Sequence, residues 1–494
     1  MSFEQAAANE VDSNWQRRSR HRWLKRVMLI VGLLLVTVVG LRIWWGWEAK
    51  RRLRVKVEQY RATSQPVFVE DFGFVKISDE DNMALPLTEA AEMFVEPDDA
   101  PASLRDLVEY PGLADEHADY VARLIESNDQ VFRHVREAWD RPGVRWDVQN
   151  VRPYINITLP HLNSQKTLAQ LCYVAAIYHH QRADDKGAVA ALDDMLNIAT
   201  AVSYSWPCLM EHLVAVAISD TCVDAVEQIT PGLRVEGALP DGASATQACT
   251  REDVEALIKR LMNYKRVQAR WRRAMSGERM TCYDGGEFVT ENIGSTIDGF
   301  WLIKPALRLD TIRMMECCTQ AQEAGLARDW PTANTLLPDT EDVSDSEIVT
   351  RFLSSLLLPA YDRAVAMHHW YLMRRQLAAA ALAIRLYELD HGRRPETLKQ
   401  LVPDYLPRVP EDRFTTDHRE IKYKPNAPPP VLYSIGVNGV DDGGLHSCDD
   451  LPRDFEQPGD VVFFLDGDRP VGNPPAEPST QAEHEHVDHN GGDG

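Results

Sequence analysis

The chain has 494 residues, with 53 Lys and Arg against 75 Asp and Glu and a formal net charge of −22 at pH 7. That length suggests two or three domains, and a hydrophobic content of 44% is enough to build a large core. The acidic balance excludes nucleic acid as a partner class, because phosphate binding needs a basic footprint.

The first 26 residues are basic, carrying Arg17, Arg18, Arg20, Arg22, Lys25 and Arg26. Residues 27–47 then read VMLIVGLLLVTVVGLRIWWGW, with 15 uncharged residues before Arg42. At ~1.5 Å per residue this run spans about 30 Å, one hydrocarbon core. Trp23 at one end and Trp44, Trp45 and Trp47 at the other fit the aromatic belts of a bilayer. Arg42 is placed to snorkel to the headgroups. The run is longer than the core of a signal peptide and has no small-residue cleavage site, so a transmembrane helix is expected. Six Lys and Arg precede the span and six follow it (Lys50, Arg51, Arg52, Arg54, Lys56 and Arg61), so the positive-inside rule is nearly silent on orientation. No second run of 18 apolar residues occurs, and a single crossing is expected.

Beyond the span, residues 48–62 read as a charged helix leaving the membrane, and QPVFVEDFGFVKI (65–77) reads as strand-like. From there to about residue 391 the pattern is helical. Helices are expected over 117–138, 163–183, 188–203, 210–228, 251–276, 303–326 and 346–391, the last broken or kinked at Pro359. The 163–183 and 188–203 segments, separated by DDKG, form an expected helical hairpin, without the sustained period of a repeat protein. ERMTCYDGGEF (278–288) reads as a loop around a Gly-Gly turn. The middle of the chain is thus an irregular helical domain.

Catalytic signatures are absent from the sequence: GxxxxGK[ST], HExxH and GxSxG do not occur. The eight cysteines include no CxxC pair, and neither a disulfide nor a zinc site is expected. His179–His180 and His368–His369 lie in helical stretches, where neighbours point about 100° apart, so neither doublet forms a ligand pair and surface or partly buried rings are expected. The tail motif HEHVDH (His484, His486, Asp488, His489) reads as compositional bias, with weak metal scavenging as the alternative. From Asp441 to Gly494 there are 14 Asp and Glu against 2 Arg, a net of −12, so a disordered acidic tail is expected.

Residues 376–465 carry the most information. A helix through QLAAAALAIRLYELDHG ends at Gly392, well placed as a left-handed cap. A proline-bounded short helix follows, then strand-like EIKYKP and VLYSIG, a glycine loop, and a last strand DVVFFL. This order resembles the carboxyl-terminal domain of the type II secretion major pseudopilin. The matching residues are Asp390, Gly392, Arg393 and Pro395; then Leu406, Pro407, Pro410, Asp412 and Phe414; then Tyr433, Ser434, Gly436, Gly439, Gly443, Gly444 and Asp460. Arg413 stands where that family prefers proline, and Asn438 where it prefers aspartate. The family's leader, cleavage glycine and helix glutamate have no counterpart before Val27. The whole chain is more similar to an uncharacterised group of bacterial membrane-anchored proteins sharing a DNMALPLTEAAEMF-type segment and a pseudopilin-like end.

The fold expected from these readings is mainly α. A basic cytoplasmic segment covers 1–26, the transmembrane helix 27–47, and a mostly helical extracytoplasmic domain 48–360. A pseudopilin-like helix with a small antiparallel sheet covers 361–468, and the acidic tail 469–494. The resemblance implies work outside the cytoplasm, hence a single-pass protein of the bacterial inner membrane whose partners are the lipid bilayer and other envelope proteins. The expected function is non-enzymatic binding or scaffolding, linked to secretion or pilus-like assembly, with an envelope enzyme as the alternative. The stretch VLYSIGVNGVDDGG (431–444) has no following helix or nearby lysine to make a phosphate cradle. An EF-hand fails because Val440 stands where an oxygen ligand is needed. A glycine-rich turn and a non-EF calcium loop both remain open, the latter using Asn438, Asp441, Asp442 and Asp460.

Overall fold

The computed structural model describes residues 3–109, 112–237, 247–292, 303–337, 352–444 and 459–467. The expected acidic tail and its histidines lie outside them.

Helix α1 runs unbroken from Phe3 to Ala62. Its stretch from Trp23 is long and apolar enough to cross a membrane, a description that a signal sequence also meets. Side chains such as Met28, Leu29, Leu34 and Val36 stand exposed around the helix, as in a segment made for an apolar solvent. The character changes at Ala49. From there Ala49, Leu53, Val57 and Tyr60 recur at spacings of four and three and are buried against the rest of the protein. The Tyr60 hydroxyl donates to the Met315 carbonyl (3.2 Å) and Lys56 pairs with Glu316 (2.7 Å).

The helices that follow are α2 (Ala84–Met93), α3 (Ala118–Ser127), α4 (Asp129–Glu137), α5 (His161–Gln181), α6 (Asp185–Val202) and α7 (Leu209–Ile229). Then come α8 (Arg251–Met262), α9 (Tyr264–Asn292), α10 (Lys304–Leu326), α11 (Trp330–Leu336) and α12 (Phe352–His391). A two-residue pair, β1 (Val108–Glu109) with β2 (Gly112–Leu113), was not anticipated from the sequence. The three strands expected at the end are present as β3 (Lys422–Lys424), β4 (Val431–Ser434) and β5 (Val461–Phe464), antiparallel in the order β3-β4-β5. Tyr433 opposes Lys422 on one side and Val462 on the other.

Two apolar cores result, with a small third cluster of Val431, Tyr433, Val462 and Phe464 on the other face of the sheet. The larger joins α2–α8, α12 and one face of the sheet, including Leu171, Leu192, Leu386, Leu432 and Phe463. The smaller joins the buried end of α1 to α9, α10, α11 and the first half of α12, around Trp271, Met315 and Tyr361. Helix α12 crosses the domain boundary expected at 360 and supplies residues to both cores. Its end is capped by Gly392 at φ 67°, whose N–H donates to the Glu388 carbonyl (2.8 Å). Thr250 and Asp253 form a capping box at the start of α8, and Asp184 caps α6 through the Gly187 N–H.

Several sequence expectations are corrected. Residues 65–77 form no strand; a 3-10 turn occupies Val69–Phe72 because the Asp71 carboxylate accepts the N–H groups of Val67 and Phe68. The helix expected over 117–138 is two helices, divided at Asn128, whose buried amide bonds both the N–H and the carbonyl of Val95. The helix expected to end at 276 breaks instead at Asn263, and α9 then continues through the Gly-Gly stretch expected to be a loop. Gly286 of that stretch serves contact, since a Cβ there would strike the Thr311 side chain; Gly285 faces open space, and Gly277, just before the stretch, abuts the Pro207 carbonyl. Helix α12 passes through Pro359 without interruption. All seven cysteines among the described residues are free thiols.

Candidate functional site

Three places bring chemistry-bearing side chains together. The first is the carboxyl-terminal loop. Gly436 has φ 70°, and a Cβ there would meet the Gly459 carbonyl, so only glycine lets the two loop strands approach. The buried Asp460 carboxylate accepts the N–H groups of Gly444 (2.6 Å) and Asp442 (3.2 Å). Asp441 pairs with Lys422 (2.7 Å) and accepts the Gly443 N–H (3.1 Å); the Lys422 ammonium holds its carboxyl below the usual range. Asn438 accepts the Val440 N–H (3.1 Å) and donates to Asp442 (3.4 Å). Each of the four expected ligands therefore already serves at least one donor of the protein itself. Among the described residues no group of three or more His, Cys, Asp or Glu is disposed to hold a metal ion. The expectation that no lysine lies near the loop is corrected, since β3 directs both Lys422 and Lys424 to it; Lys424 donates to the Gly443 carbonyl (2.7 Å).

Two residues of the resemblance motif act as pins. Asp412, almost fully buried, accepts the Ser434 hydroxyl (2.6 Å) and the N–H groups of Phe414 (2.9 Å) and Ile435 (3.1 Å). Arg413, the departure from the family pattern, is enclosed beside α10 and α11, donating to the Ala327 carbonyl (3.0 Å) and lying 3.4 Å from His369 Nδ1. A proline at 413 would forfeit that tie.

The second place centres on α7, α9 and α12. His368 and His369 are both fully buried, contrary to the surface or partly buried rings expected. His368 Nδ1 meets His212 Nε2 at 3.2 Å and stacks on Trp271, ring centroids 4.7 Å apart. Burial pushes the His212 imidazole down to about 3 and His368 well below its ordinary value, so the pair is neutral, one ring donating and the other accepting. Glu211, beside them, accepts the Trp206 N–H (2.5 Å) through one oxygen and has no partner for the other. Burial pushes its carboxyl up to about 8 despite the opposing pull of the Ser205 hydroxyl, the Trp206 N–H and Arg273. Glu211, His212 and Arg273 border a cavity of about 10 Å³. That is room for about one water.

The third place shares Arg270 with the second. A cavity of about 40 Å³ lies between α6, α7, α8, α9 and α12, lined by Arg260, Arg266, Arg270 and Arg375 with Thr200 and Asn263. Arg260 is neutralised by Asp193 (2.5 Å) and bonded to Asn197 (2.8 Å). Arg375 spends its donors on neutral acceptors: the carbonyls of Leu261 (3.1 Å) and Arg260 (2.5 Å) and the Tyr371 hydroxyl (2.8 Å). Arg270 donates to the Thr200 hydroxyl (2.8 Å), and its Nε is sealed from water without a partner. Burial lowers the Arg270 guanidinium from its ordinary value; Tyr371 and Tyr204 oppose that, and Arg375 and Arg266 push the same way as burial. The contrast with Arg374 is sharp: that side chain reaches Asp220 and Asp224, each at 2.7 Å. The sequence reading passed over this site, although residues 259–273 hold seven Lys and Arg and no Asp or Glu in an acidic chain.

Comparison of the chain with protein-family models, with curated proteins and with solved structures finds no match.

Proposed function

We propose that the protein is a single-pass, membrane-anchored binding or scaffold protein of the bacterial envelope, non-enzymatic, with its helical body outside the cytoplasm. The observation that carries this reading is the continuity of α1. One helix supplies an exposed apolar stretch and then, without a joint, the residues Leu53, Val57 and Tyr60 that help build the smaller core. A leader destined for removal has no reason to be built into the core of the protein it leaves. The order of α12, the Gly392 cap and the β3-β4-β5 sheet supports the pseudopilin-like assignment, and that assignment supports the outward placement of the body. Partners in secretion or pilus-like assembly follow from the same resemblance.

The enzyme reading would require a cleft that admits a substrate. Two of the ionisable groups with displaced protonation, Glu211 and His212, face a cavity with room for about one water. Their arrangement favours a structural role. Orientation is tested by protease treatment of spheroplasts carrying an amino-terminal tag. The body should be digested and the tag retained; loss of the tag with survival of the body reverses the proposed topology.

A further inference from the structure

We infer that the arginine-lined cavity is a binding site for a tetrahedral phosphate group. Charge balance is the starting point. Of the four guanidinium groups lining it, only Arg260 has a carboxylate, Asp193. Among the described residues no ion-pair partner faces Arg266, Arg270 or Arg375. A chain with 75 acidic residues has no shortage of carboxylates, and it places two on the neighbouring Arg374. Burying a guanidinium without counter-charge, as at Arg375 and at the sealed Nε of Arg270, is costly unless an anion compensates.

The backbone points the same way. Helix α8 stops at Asn263, which leaves helical geometry at φ −80°, ψ 70°, and α9 starts afresh at Tyr264. The first N–H groups of α9 therefore lack intrahelical acceptors, and Asn263, Arg266 and Val267 line the cavity beside them. The first turn of α9 has no acidic residue to complement the positive helix end. A helix start, unpaired arginines and the partnerless Nε of Arg270 thus converge on one space.

Size and access select the ligand class. A cavity of about 40 Å³ has room for a few water-sized bodies, which suits one tetrahedral oxyanion and excludes a nucleotide. Arg266 and Asn263 are exposed, so the cavity opens to solvent on their side. The phosphate can therefore be inorganic or the end of an ester whose organic part stays outside. Arg270 and Arg375 would form the inner wall and Arg266 the mouth. Planar guanidinium forks match phosphate oxygens in pairs.

The test uses the full chain in detergent micelles. Sodium phosphate and glycerol 3-phosphate are titrated calorimetrically, and thermal unfolding is followed against sodium chloride at equal ionic strength. Saturable binding and a raised midpoint are expected with at least one of the two probes, the tighter one identifying the source. Arg270→Gln should weaken that dissociation constant ~10- to 100-fold, the scale of a charge-assisted hydrogen bond. Arg266→Gln, at an exposed position, should weaken it while leaving the midpoint in chloride unchanged. The inference is overturned if neither probe differs from chloride, or if both variants bind like the wild type.

Discussion

Glu211 offers the sharpest test of the interior, because its carboxyl accepts one backbone N–H, has only the Ser205 hydroxyl beside it as a further donor, and has almost no exposure to water. In the unfolded chain it should ionise near its ordinary value of 4.5, whereas burial pushes it up to about 8 in the fold. A group raised on folding contributes stability that is fully present below the unfolded value and is lost as pH rises through the folded one. At about 1.4 kcal/mol per pH unit, the interval amounts to roughly 5 kcal/mol. With an unfolding entropy of ~2.1 cal/mol/K per residue over about 400 residues, this lowers the midpoint by about 6 °C. Glu211→Gln keeps an oxygen for the Trp206 N–H and never ionises. The buried histidines act in the opposite sense: His212 and His369, down to about 3, lose their contribution as pH falls below their ordinary 6.5, in wild type and variant alike. Thermal unfolding of both proteins in detergent from pH 5 to 9 should show the wild type falling away from the variant as pH rises. Parallel curves would refute the assignment of a protonated, buried Glu211.

Two further outcomes follow from the packing. Leu386 is fully buried in α12 within the larger core, so Leu386→Ala should cost about 2–5 kcal/mol by urea or thermal unfolding. Asp460→Ala should cost ~1–3 kcal/mol for each N–H left unsatisfied, at Asp442 and Gly444. Because those oxygens already have donors, the unfolding midpoint should be the same in millimolar calcium and in chelator. A calcium-dependent rise that Asp460→Ala abolishes would instead establish the loop as a metal site.

Periodicity and composition made the helices of the middle and the three final strands legible, because each depends on local pattern. The strand expected over 65–77 failed to a local bond, from Asp71 to Val67 and Phe68, but other failures came where a residue far along the chain decides the backbone. Asn128 ends a helix because Val95 offers it two bonds, and no local pattern announces Val95. The Gly-Gly stretch of α9 reads as a turn in isolation; as a helix it needs Thr311 of α10 packed on the glycine face. The loop residues Asn438, Asp441, Asp442 and Asp460 were found from the sequence, but not the donors they serve, which include Lys422 from β3. The arginine cavity was missed for a related reason. Its walls come from α6, α7, α8, α9 and α12, and only the run of basic residues after Lys259 was visible beforehand.

The unbroken α1 has a mechanical consequence. Helix α10 lies parallel to it, with Pro305 near Gly46, Glu316 on Lys56 and Thr319 on Tyr60. With the apolar stretch in a bilayer, this doubled shaft leaves the body no swivel. Its height above the lipid and its bearing relative to the apolar stretch are both set by residue count, ~1.5 Å and ~100° for each position along the helix. A partner that grips the anchor helix within the membrane would always meet the same face of the body at the same elevation. One residue inserted between Gly46 and Ala49 would turn that face about a quarter of the way round. Orientation of the body relative to its own span is thus written into chain length, as a flexible tether could never do.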